Sequence, residues 1–97
     1  VDKKQSEDIV ICRYGQAWLL LVTDELSQAR DILLTVYAQY PYSYIAHALG
    51  DYYTSQWETL TAMRYYFDAV RSTESDTERR ITRDKITDLA AQTITTP

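Results

Sequence analysis

The 97-residue sequence predicts an all-α fold of antiparallel helix pairs joined by short turns. Three observations carry that expectation. Glycine and proline occur only twice each, too few for the many turns of a sheet protein. Apolar residues recur at three- and four-residue spacings along most of the chain. Capping residues stand where one such run gives way to the next.

The elements follow in order. Residues 1–8 are polar and charged and are expected to be a flexible lead-in. A helical pattern begins at residue 8 or 9 and reaches about Val22. Thr23 and Asp24 are N-cap types, ahead of a second helix with Leu26, Ala29, Ile32, Leu33, Val36, Tyr37 and Tyr40 on one face. Pro41 ends it, since proline inside a helix loses a hydrogen bond and clashes with the preceding turn. Ser43 is the expected cap of a third helix, which runs to about Tyr53. Ser55 with Glu58 forms a capping box that opens a fourth, with Leu60, Met63, Tyr66, Phe67 and Val70 as its apolar stripe. Ser75 with Glu78 repeats the box and opens a fifth helix to about Gln92, carrying a thin seam of Ile81, Ile86, Leu89 and Ala90. Charges cover the rest of that helix, as on an element with one docked and one solvated face. Acidic residues interleave with Arg79, Arg80 and Arg83, which argues against a phosphate-binding role.

Composition narrows the function classes. A net charge of −4 argues against non-specific binding to nucleic acid or an anionic membrane. The longest apolar run, residues 17–22, is far too short to span a bilayer, and no signal peptide is visible. Cys12 is the single cysteine, so no internal disulfide or CxxC metal site can form; this favours a reducing compartment such as the cytoplasm, and a buried, inert thiol is expected. With Val1 at its start and Thr-Thr-Pro at its end, the chain reads as a domain excised from something larger.

Candidate chemistry is sparse. His47, the only histidine, stands four residues before Asp51 on one helix face. The pair has the residue types of a metal site or of a base with its orienting acid, but no further ligand completes either at recognisable spacing. An ordinary hydrogen-bonded pair is therefore expected. Gly-rich phosphate loops, nucleophile elbows and paired-carboxylate motifs are missing from the sequence, so no catalytic, cofactor or metal site is expected. The nine tyrosines are mostly expected to pack between helices, with a minority available for recognition.

One segment is more specific. Leu49-Gly50, Tyr53, Ala62, Tyr66 and Ala69 follow one another at helical spacing, with small residues where helices must cross closely and large ones filling the space between neighbours. That order resembles a tetratricopeptide repeat, a helix–turn–helix unit. An earlier unit resembles it too: Ala29, Leu33, Val36 and Pro41 precede Ala62, Tyr66, Ala69 and Glu74 by 33 residues, against about 34 in the family. In this ungapped register Gln16-Ala17 stand for Leu-Gly and Leu20 for the tyrosine; an alternative register uses Tyr14-Gly15 and Trp18. The resemblance implies a piece of a right-handed α-solenoid. Its first, degenerate helix pair is residues 9–42, its second pair residues 43–74, its capping helix residues 75–93 and its tail residues 94–97.

The family binds partners on the concave face formed by the first helix of each pair. Carried over, that surface comprises Tyr14, Trp18, Leu21 and Val22 in the first unit, and Tyr44, His47, Asp51 and Thr54 in the second. The lysine, arginine and asparagine with which one subset clamps a C-terminal carboxylate are replaced here by aromatic, aliphatic or acidic residues, so that activity is not supported. The expected function is a non-catalytic protein–protein interaction module that holds an amphipathic helix or apolar segment of a partner. Alternatives are a regulatory or sensory helical-repeat domain of a larger protein, even a transcription regulator, and a small secretion-type chaperone. About three repeats are usually needed for stability, so a homodimer, a partner chain or a longer parent array is also expected.

Overall fold

Five α-helices make up the computed structural model, which describes Lys3–Thr95; no strand occurs among these residues. They are α1 (Lys3–Val22), α2 (Leu26–Gln39), α3 (Ser43–Ser55), α4 (Thr59–Ser72) and α5 (Asp76–Thr95). The helical pattern thus starts earlier than residue 8 and ends later than Gln92. Val1, Asp2, Thr96 and Pro97, from the expected lead-in and tail, lie outside the described residues. The chain divides into two compact units, Val1–Pro41 and Tyr42–Pro97.

In the first unit α1 packs along α2. Val10 and Ala17 on α1, and Ala29, Leu33 and Val36 on α2, are the buried apolar residues. The second unit packs α3 on α4 and α4 on α5. Ala62, Tyr66 and Leu89 form a buried cluster there, with Tyr53, Met63 and Ile86 against it. Gly50 is buried beneath the Tyr66 ring, and a β-carbon on Gly50 would overlap that ring. The small residue is therefore required by a large one on the facing helix.

Turn chemistry departs from the expected caps. The Glu25 amide bonds the Leu20 carbonyl at 2.8 Å and the Asp24 amide bonds the Leu21 carbonyl at 3.2 Å, with Asp24 left-handed at φ 65°. This is a Schellman C-cap of α1, so Thr23 and Asp24 close one helix rather than open the next. The N-cap of α2 is Glu25, which makes no side-chain cap. The second turn repeats the arrangement, with Glu58 to Tyr53 at 3.0 Å, Trp57 to Thr54 at 3.1 Å and Trp57 at φ 62°. Ser55 accordingly sits in the last turn of α3, bonding the Tyr52 carbonyl at 2.6 Å, and the expected Ser55–Glu58 capping box does not form. Ser43 likewise lies inside α3, whose N-cap is Tyr42. Only Ser75 acts as expected, accepting from the Glu78 amide at 3.1 Å. The Glu78 carboxylate turns instead to the Thr73 hydroxyl at 2.9 Å.

The two turns recur at constant spacing. α2 and α4 begin 33 residues apart, at Leu26 and Thr59, and each has 14 residues. α3 and α5 also begin 33 residues apart, at Ser43 and Asp76.

Several expected core positions are open. Leu60 and Phe67 on α4 and Ile81 on α5 are exposed, while Thr82, missing from the expected seam, is fully buried. Cys12 is exposed, not buried. Between Ile11 and Val22, α1 presents Ile11, Trp18, Leu19 and Val22 to solvent.

Two outcomes test this account. Gly50→Ala should lower stability to denaturant by about 1–3 kcal/mol through overlap with Tyr66. Trp57→Gly should raise it by about 1 kcal/mol, because a bulky residue in the left-handed region is strained and glycine is not. A neutral Gly50→Ala would refute the close approach of α3 and α4.

Candidate functional site

The expected partner-facing residues fall into two groups, one in each unit. On α1, Tyr14 and Leu21 are half-buried and Trp18 is 57% exposed. On α3, Tyr44 and His47 are half-buried and Asp51 is exposed. Positions 14, 18 and 21, like 47, 51 and 54, share one face by helical spacing. Tyr44 stacks on Tyr42, with ring centroids 5.9 Å apart.

His47 and Asp51 lie near one another but not as the expected hydrogen-bonded pair: each bonds Lys85 instead, within a polar cluster drawn from three helices. The Lys85 ammonium on α5 donates to Asp51 Oδ1 at 2.8 Å and to His47 Nε2 at 2.7 Å. The Tyr66 hydroxyl on α4 donates to the same Asp51 oxygen at 2.5 Å and lies 3.3 Å from Thr54 Oγ1. Lys85 also sits 5.9 Å from the Tyr66 ring centroid, within cation–π range. Beside these groups a hollow of about 270 Å³ is lined by Asp51, Thr54, Tyr66, Lys85, Asp88 and Leu89.

The hydrogen bonds assign the imidazole tautomer. Thr82 Oγ1 gives its proton to the Glu78 carbonyl at 2.8 Å, so at 2.9 Å from His47 Nδ1 it must accept. Nδ1 therefore carries the proton, and Nε2 offers a lone pair to Lys85. Burial, the largest influence, lowers the His47 pKa below its ordinary 6.5, with Lys85 acting in the same direction and Asp51 and Glu78 opposing it. Burial and the hydrogen bond to Asp51 push the Tyr66 phenol well above its ordinary range.

This arrangement holds a neutral imidazole, an ammonium and a carboxylate in fixed relation, with Asp51 Oδ2 3.6 Å from His47 Nε2. It can offer the solvent-facing side of the Asp51 carboxylate as a hydrogen-bond acceptor. Among the described residues, no group of three or more His, Cys, Asp or Glu side chains is placed to hold a metal ion, and no helix is long and apolar enough to cross a membrane.

Lys85, Thr82 and the Tyr66 hydroxyl are the members that sequence reasoning missed. Their signal was available: Glu78, Thr82, Lys85 and Leu89 recur at helical spacing, so the docked stripe of α5 is largely polar. The first unit carries a different hollow, of about 430 Å³, lined by Ile9, Arg13, Asp31, Ile32, Val36 and Tyr40 among others.

Comparison of the chain with known protein families, curated proteins and solved structures finds no match.

The cluster predicts a pH dependence. An unfolded His47 takes up its proton near pH 6.5, whereas the folded one does so only at lower pH. The unfolded state then binds more protons, so His47 favours folding above pH 6.5 and loses that contribution as pH falls through 6.5 toward the folded value. Between about pH 7.5 and about pH 5.5 the melting temperature should drop more for the wild type than for His47→Asn. Equal drops would show that His47 titrates alike in both states.

Proposed function

We propose that this chain is a non-catalytic protein–protein interaction module of tetratricopeptide type, holding an amphipathic helix or apolar segment of a partner. The observation that carries the reading is the open apolar face of α1, where Ile11, Trp18, Leu19 and Val22 are 57–61% exposed. Contiguous apolar patches on a folded chain mark interaction surfaces. Trp18, a large aromatic with few rotatable bonds, is the expected anchor.

The spacing of the helices supports the repeat character. The 33-residue offset between α2 and α4 also places Ala29, Leu33 and Val36 in register with Ala62, Tyr66 and Ala69, and all six are buried. Glu25 and Glu58 enter their helices at nearly equal dihedrals, φ −95° and ψ 67° against φ −96° and ψ 74°. These features favour the ungapped register over the one built on Tyr14-Gly15. Under it Tyr14, Trp18 and Leu21 are the counterparts of His47, Asp51 and Thr54, so one recognition face is apolar and the other polar.

Selection of amphipathic helical peptides against the immobilised chain tests the reading. Recovered peptides should bind with micromolar affinity. Trp18→Ala should weaken them about tenfold, as expected for an aromatic anchor, and Asp51→Ala by a smaller factor. Failure of both substitutions to alter binding would sink the proposal.

A further inference from the structure

The apolar face of α1 has a glycine at its centre. Gly15 lies seven residues from Val22 and four from Ile11 and Leu19, so by helical periodicity it shares their side of the helix together with Trp18. It is exposed, in the interior of α1, with nothing within 4 Å of the place a β-carbon would occupy. Its φ is not positive, so no turn or left-handed conformation requires it. Glycine in a helix interior weakens the helix relative to alanine. Gly50 offsets that loss by receiving Tyr66, whereas a β-carbon on Gly15 would find no heavy atom of the described residues within 4 Å.

We infer that α1 pairs with α1 of a second copy of this chain, antiparallel about a two-fold axis, each Trp18 filling the space left by the other's Gly15. This rests on the reading of α1 as a partner-binding face, and it names the partner. A two-fold interface needs a self-complementary surface, and an antiparallel pairing that sets residue 15 against residue 18 also sets Ile11 against Val22. The helix thus carries both the knob and the hole, with an aliphatic contact on either side. Antiparallel helix dipoles also oppose one another favourably.

The area suits a weak dimer. The exposed parts of Ile11, Trp18, Leu19 and Val22, the residues on this face, leave roughly 400 Å² of apolar surface on each chain. Two copies would remove roughly 800 Å², the scale of a weak, transient interface. No charged side chain interrupts the face between Ile11 and Val22, since Arg13, the only charged residue in that stretch, lies on the opposite side of the helix.

Sedimentation equilibrium of the full chain from about 1 to about 200 µM, beside circular dichroism, tests the pairing. The wild type should dimerise in the micromolar range. A β-carbon at Gly15 meets open space, so Gly15→Leu should keep or increase helicity while weakening the dimer at least tenfold. Trp18→Ala should weaken it similarly, and Leu60→Ala, on the exposed side of α4, should leave it unchanged. A wild type that stays monomeric at the highest concentration would overturn the inference, as would a dimer indifferent to both α1 substitutions or one broken by Leu60→Ala. A monomer that still binds amphipathic peptides through Trp18 would overturn self-pairing alone and leave the interaction-module reading standing.

Discussion

The second unit depends on the contact between Tyr66 and Gly50. Removing one side chain on α3 lets a tyrosine ring from α4 lie directly on the backbone, which sets how closely the two helices approach. The same ring is then carried far enough for its hydroxyl to reach Asp51. A buried phenol without an acceptor would be costly, and Asp51, with Thr54 beside it, provides one. Close apolar contact and polar satisfaction are thus two ends of one side chain.

What α5 adds is charge and a buried hydroxyl. Lys85 and Asp51 are both more than a third exposed, so their ion pair contributes little to stability by itself. Its consequence is geometric. Lys85 draws on the imidazole lone pair while Thr82 accepts the imidazole proton, and together they select one tautomer and one charge state of His47. The docked face of α5 thus combines directional bonds with the packing of Ile86 and Leu89.

The first unit solves its packing differently. Its buried apolar side chains are all small or aliphatic: Val10, Ala17, Ala29, Leu33 and Val36. Between Ile11 and Val22, apolar side chains not used against α2 remain on the outside of α1. Under the proposed register, the exposed face of α1 is apolar where its counterpart on α3 carries His47 and Asp51.

Five helices, their order and most of their lengths were legible in the sequence because they follow from local rules: apolar periodicity, Pro41 as a stop and Ser75 as a cap. That Gly50 stands where helices cross closely was legible as well, but not that the ring lying on it is Tyr66. Turn chemistry was misread where one signal serves two ends. Thr, Asp and Ser suit N-caps, but a left-handed residue closing the preceding helix claims the same positions, and Asp24 and Trp57 reveal no such conformation by their identity. His47 and Asp51 could be placed together from their spacing alone. Their partners Thr82 and Lys85 lie more than thirty residues away, and only tertiary packing brings α5 beside α3. Which apolar side chains stay uncovered was likewise beyond local pattern. Periodicity says that Trp18, Leu60 and Phe67 lie on faces, but burial depends on what the rest of the chain places against each face.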